Sequence, residues 1–116
     1  MTEINIAREF STVPGPRFRD EGPHSGQAFR DDLLLPRFKQ ASAAGEQLVV
    51  YLDGVKFGYP TSFLEESFGG LARAVGIDAA RQGLSLVAND EPLLVREIEG
   101  YIRDAHKTSP ERLVHR

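Results

Sequence analysis

Residues 49–76 read VVYLDGVKFGYPTSFLEESFGGLARAVG, and the order of signals in this stretch decides the fold. With Leu48 in front of it, Val49-Val50-Tyr51-Leu52 is a continuous apolar run with a β-branched centre. Such a run predicts a central strand covered on both faces. Asp53-Gly54 closes the strand, and Gly58, Tyr59 and Pro60 turn the chain into a helix. Ser62 with Glu65 three residues later has the form of a capping box. Leu64, Phe68, Leu71, Ala72 and Val75 then recur at helical spacing, which gives the helix one apolar stripe. Gly76 is placed to end it with a positive φ.

Outward from this unit the same alternation continues. Ser25 reads as an N-cap, and Ala28, Phe29, Leu33 and Phe38 predict a helix to about residue 42, with Pro36 kinking or splitting it near Leu35. Residues 3–10 alternate through Ile4, Ile6, Arg8 and Phe10 and predict a half-buried strand. Residues 11–24, with Pro14, Gly15, Pro16, Gly22 and Pro23, predict a long loop. That loop has room for a hairpin arm at 17–19 or for an added edge strand. Downstream, Leu84–Ala88 reads as a third strand. Asn89 or Asp90 is placed to cap a last helix, with Pro92 in its first turn and Leu94, Ile98, Tyr101, Ile102 and Ala105 on its buried face. Glu99 and Arg103 lie four apart for an ion pair. The expected architecture is a small, mainly parallel α/β sheet with packed helices and a β-α-β-α-β-α core. Residues 1–105 form the domain, and 106–116 a flexible polar tail.

Composition narrows the function classes. The chain has 116 residues, net charge −3, 41% apolar and 27% charged side chains, and no cysteine. It is long enough for one domain with its own core. Disulfides, thiolate metal sites and cysteine nucleophiles are excluded. No apolar run approaches membrane-spanning length and no signal peptide is visible, so a cytoplasmic protein is expected. The acidic balance argues against a nucleic-acid footprint. His24, His106 and His115 lack metal-ligand spacing, so neither metal nor other cofactor is expected. The adjacent acids Asp31-Asp32 and Glu65-Glu66 do not face each other on a helix. Nothing in the sequence assembles a nucleophile, a base and an oxyanion donor, so catalysis is not expected.

Three features are candidates for function. Thr61 and Ser62 stand at the start of the central helix, where Ser62 reads as a plain cap. Gly69-Gly70 inside the helix costs roughly 1 kcal/mol per residue against alanine. Either close packing or a flat partner surface compensates. With Phe63, Glu65 and Glu66 they would form an interaction surface. Arg17 and Arg19, with the helix start at Ser25 and Gly26, could bind a small anion or a nucleotide. The two arginines could instead pair with Asp20, Glu21, Asp31 or Asp32.

The Ser62–Leu71 stretch, the Pro14-Gly15-Pro16-Arg17 segment and the Ser25–Arg30 helix start resemble a bacterial STAS-like family of unknown function. That family is distantly similar to the STAS domains of anti-sigma-factor antagonists. The resemblance implies a non-enzymatic regulatory module that presents the helix starting near Ser62 to a protein partner. In those antagonists a serine or threonine at this helix start is phosphorylated by a histidine-kinase-like ATPase. Thr61 and Ser62 are the matching positions, with Tyr59-Pro60 where the antagonists usually carry an acidic residue. The implied partner is such an ATPase or another regulator, with a homodimer as a further option.

Overall fold

The computed structural model describes residues 2–107. Three strands, β1 (Glu3–Asn5), β2 (Leu48–Tyr51) and β3 (Leu84–Val87), form one parallel sheet in the order β1-β2-β3. Glu3 pairs with Val49 and Asn5 with Tyr51 on one side, and Leu48 with Leu84 and Tyr51 with Val87 on the other. Five helices accompany the sheet: α1 (Ile6–Glu9), α2 (26–43), α3 (61–75), α4 (Ile77–Gly83) and α5 (Leu93–Arg103).

Right-handed crossovers in a sheet of this order lay α2 and α3 on the same face. Burial agrees: Ile4, Leu48, Val50 and Leu84 point into the core, where Phe29, Phe63 and Phe68 meet them. The opposite face, with Glu3, Val49, Tyr51, Ser85 and Val87, stays exposed to half-buried. β2 is therefore central, as expected, but covered on one face only. Its second face meets no helix layer, because neither crossover returns on that side.

Several boundaries differ from the sequence reading. β1 stops at Asn5, because the Asn5 side chain accepts from the Arg8 N–H (3.1 Å) while the Glu9 carboxylate accepts from the Asn5 N–H (3.0 Å). This reciprocal cap starts a helical turn where strand alternation predicted more strand. Residues 11–24 add no strand; they contain one 3₁₀ turn at Arg19–Glu21. α2 is not split by Pro36. A π turn at Arg30–Leu34 precedes the proline, with the Leu35 N–H donating to the Arg30 carbonyl, and helix continues as Leu35–Ala43. Loosening the ladder one turn earlier absorbs the donor that Pro36 lacks. α3 ends at Gly76 with φ of 102°, as its glycine predicted, and α4 follows at once. Neither Asn89 nor Asp90 caps α5, whose N-cap is Pro92. Their backbone N–H groups instead donate to the Asp53 carboxylate at 3.0 and 2.8 Å, which holds the Asp53 pKa below its ordinary value. Glu99 and Arg103 form no ion pair among the described residues. His106 and Lys107 are exposed, and the rest of the expected tail lies outside the described residues.

α3 is the innermost helix. It lies on the sheet between α2 and α5, and from Phe63 to Ala72 every residue but Glu65 is buried. A helix apolar on one stripe would show one buried face; this one is enclosed on nearly all sides.

Candidate functional site

Charged side chains lying across α3, one from α2 and two from α3 itself, explain the glycine pair. An added Cβ on Gly70 would stand 2.5 Å from Arg30 Nη1 and 2.9 Å from Arg30 Cδ; one on Gly69 would stand 2.5 Å from Glu65 Oε2. The two glycines thus clear a path for charged side chains across the helix surface. Arg30 donates to Glu66 Oε2 (2.5 Å) and to the Glu66 carbonyl (3.2 Å). Arg73 donates to Glu65 Oε2 at 2.8 Å, and Arg17 reaches both carboxylates, at 2.5 Å from Glu65 and 3.2 Å from Glu66. Three guanidinium groups therefore hold two carboxylates, all five partly buried. Burial works to raise the Glu65 carboxyl, but hydrogen bonds and charge from Arg73 and Arg17 outweigh it and hold its pKa below the ordinary value. The acids sit in a second π turn, Glu65–Gly69.

This geometry corrects the expected interaction surface. Phe63, Gly69 and Gly70 are buried. Phe63 joins an aromatic cluster, stacked on Phe29 with ring centroids 5.8 Å apart and 6.0 Å from Tyr59. Glu65 and Glu66 face Arg17, Arg30 and Arg73 rather than a partner. Sequence reading passed over Arg30 and Arg73. The signal available was the glycine pair beside an acid pair, which leaves space for long cations to lie against the helix.

The expected anion site at Ser25 does not form either. Ser25 is fully buried, and its hydroxyl accepts from the Ala28 N–H (3.0 Å). The Gly26 and Gln27 N–H groups donate to the carbonyls of Pro16 (2.8 Å) and Arg17 (2.9 Å). The segment before the helix thus folds back and occupies the donors an anion would use. Arg17 is committed to Glu65 and Glu66, and Arg19 pairs with Asp32 at 2.6 Å.

The start of α3 is different. Pro60 is the N-cap residue, and no side chain caps the first turn. The expected capping box is absent because the helix starts at Thr61, which puts Ser62 inside the first turn and Glu65 beyond it, where it pairs with Arg17 and Arg73. Thr61 is exposed and Ser62 half-buried. On α5 the Tyr101 phenol donates to Glu97 (2.6 Å). Beside this start, Tyr59 donates to the Leu52 carbonyl (2.7 Å) and fixes the preceding loop.

A groove of about 550 Å³ runs between α4, β3 and α5 and is lined by Leu84, Leu86, Val95 and Ile102 with Arg81 and Glu99. Among the described residues, no three histidine, aspartate or glutamate side chains meet in a metal-binding group. No helix there is long and apolar enough to cross a membrane.

Fold and site together define a small α/β domain with a parallel three-stranded sheet, in which the start of α2 is closed and that of α3 carries no side-chain cap. The chain belongs to the family described as STAS-like domain of unknown function (DUF4325), whose model matches residues 25–93. The matched span holds Thr61, Glu65, Glu66, Arg30 and Arg73; Arg17 and all of α5 after Leu93 lie outside it. No curated protein and no solved structure matches the chain.

Proposed function

We propose that this STAS-like domain is a non-catalytic regulatory module that binds a protein partner at the open start of α3 and is switched by phosphorylation of Thr61. The exposure of Thr61 at an uncapped helix start carries the reading. An added phosphate there meets free N–H groups and the positive end of a helix 61–75 long. It brings about −1.5 to −2 charges to the surface. Glu65 and Glu66, one turn below, would repel it if they were bare. Arg17, Arg30 and Arg73 supply three positive charges against those two negative ones, which favours the phosphate. Ser62 is the less accessible acceptor of the two. The partner class is a histidine-kinase-like ATPase or another regulator, carried over from the STAS resemblance.

The test is phosphopeptide mapping of protein purified from its native host, beside incubation of the pure chain with the candidate ATPase and ATP. Phosphate on Thr61 that is lost in Thr61→Ala, together with partner binding altered by phosphorylation, supports the reading. Absence of phosphate on Thr61 and Ser62 across growth conditions and in the reconstituted reaction removes it.

A further inference from the structure

At the carboxyl end of the strands, loop 53–60 projects between two neighbours. Its Lys56 N–H donates to the Thr12 carbonyl (2.8 Å) on one side. On the other side Asp53 accepts from Asn89 and Asp90. At its tip Phe57 is 84% exposed. Gly58, with φ of 80°, turns the chain back behind it. Among the described residues the exposed large hydrophobics are Phe57, Val13 and Leu93. All three lie on this rim, since Val13 follows Thr12 and Leu93 follows the 89–92 turn.

Beside the knob is a hole. A cleft of about 200 Å³ opens between loop 53–60 and residues 90–94, with Leu52, Tyr59 and Leu94 in its walls and Asp90 and Glu91 at its edge. Asp90 and Glu91 are exposed, as is Lys56. The side chains of these three make no ion pair or hydrogen bond among the described residues.

We infer that this rim is a self-association surface, with Phe57 of one copy seated in the cleft of a second copy and the reverse across a twofold axis. Knob and hole lie on the same rim, as a closed isologous contact requires. Charge agrees with shape: Lys56 beside the knob meets Asp90 and Glu91 beside the hole. An exposed phenylalanine on a loop tethered at both flanks is already ordered for binding, which lowers the entropy lost on association. Buried aromatic anchors of this kind dominate interface energetics. This inference concerns loop 53–60 and does not depend on phosphorylation of Thr61.

Sedimentation velocity of the full chain from about 1 to about 200 μM, a span that brackets micromolar affinity, tests it. Wild type is expected to pass from monomer to dimer. Phe57→Ala should weaken the dimer about tenfold or more, and Lys56→Glu should weaken it through repulsion from Asp90 and Glu91. The double variant Asp90→Lys with Glu91→Lys should likewise dissociate alone. Mixed with Lys56→Glu it should form a heterodimer, because both reciprocal contacts then pair opposite charges. A wild type that stays monomeric throughout, a Phe57→Ala chain that dimerises like wild type, or a mixture that forms no heterodimer would each overturn the proposal. A monomeric wild type would leave the rim to a different protein.

Discussion

At the start of α2, Ser25 is buried, its hydroxyl caps the first turn, and the carbonyls of Pro16 and Arg17 take the next two N–H groups. At the start of α3, Pro60 stands at the cap, Thr61 faces solvent, and Glu65 turns away to two arginines. Both starts carry a serine ahead of an amphipathic run, and on the serine alone they look equivalent. What separates them is the segment upstream. Residues 11–24 are long enough to fold back over α2 and fill its donors. Loop 53–60 is short, is held to Leu52 through Tyr59, and directs Phe57 outward. The closed start serves stability, and the uncapped one is the start at which the proposed switch would act.

Five substitutions break or sharpen that contrast. Gly26→Ala should have the largest effect, because its Cβ would stand 2.6 Å from the Phe63 carbonyl oxygen, a backbone atom that cannot move aside cheaply. Overpacking of this kind costs about 3 kcal/mol. Urea denaturation should show the midpoint fall with little change in slope. Glu66→Gln comes next, at about 2 kcal/mol, since it strips Arg30 and Arg17 of a partly buried partner; the same denaturation series measures it.

Glu65→Gln follows at about 1–2 kcal/mol at neutral pH, because it breaks charged hydrogen bonds to Arg73 and Arg17. Its pH dependence is distinctive. The folded carboxyl titrates below its unfolded value, so its contribution is complete above the unfolded pKa of about 4.3 and fades as pH falls through the lower folded value. Stability curves of Glu65→Gln and wild type should therefore converge on acidification and diverge above that range. The smallest pair is the most direct comparison of the helix starts. Ser25→Ala should cost about 1 kcal/mol and Ser62→Ala only a few tenths, read as the difference in melting temperature between the two variants. Equal losses would contradict the distinction.

The strand–helix–strand order was legible because each crossover carried its own punctuation, from Asp53-Gly54 to the positive-φ Gly76. Short elements were not legible. β1 is cut off by a side-chain cap at Asn5, and α4 follows Gly76 without a loop to announce it. The π turns escaped because they are set by backbone hydrogen bonds, which the apolar pattern does not report. The place of Thr61 and Ser62 at the start of α3 could be read from position alone. The burial of Phe63, Gly69 and Gly70 could not, because it depends on α2 and α5 closing over α3 from both sides. The commitment of Arg17 to Glu65 and Glu66 spans 48 and 49 positions, beyond any local spacing rule.

The enclosure of α3 has a consequence for how the domain tolerates change. An ordinary surface helix accepts variation every third or fourth residue, along its wet face. Between Phe63 and Ala72 only Glu65 keeps partial exposure, and it is held by Arg73 and Arg17. A saturation scan through this helix should therefore yield an unbroken block of intolerant positions with no helical rhythm. Drift would be left to Thr61 and Ser62 before it and Ala74 after it. The helix with the exposed Thr61 at its start is also the one whose body has the least room to evolve.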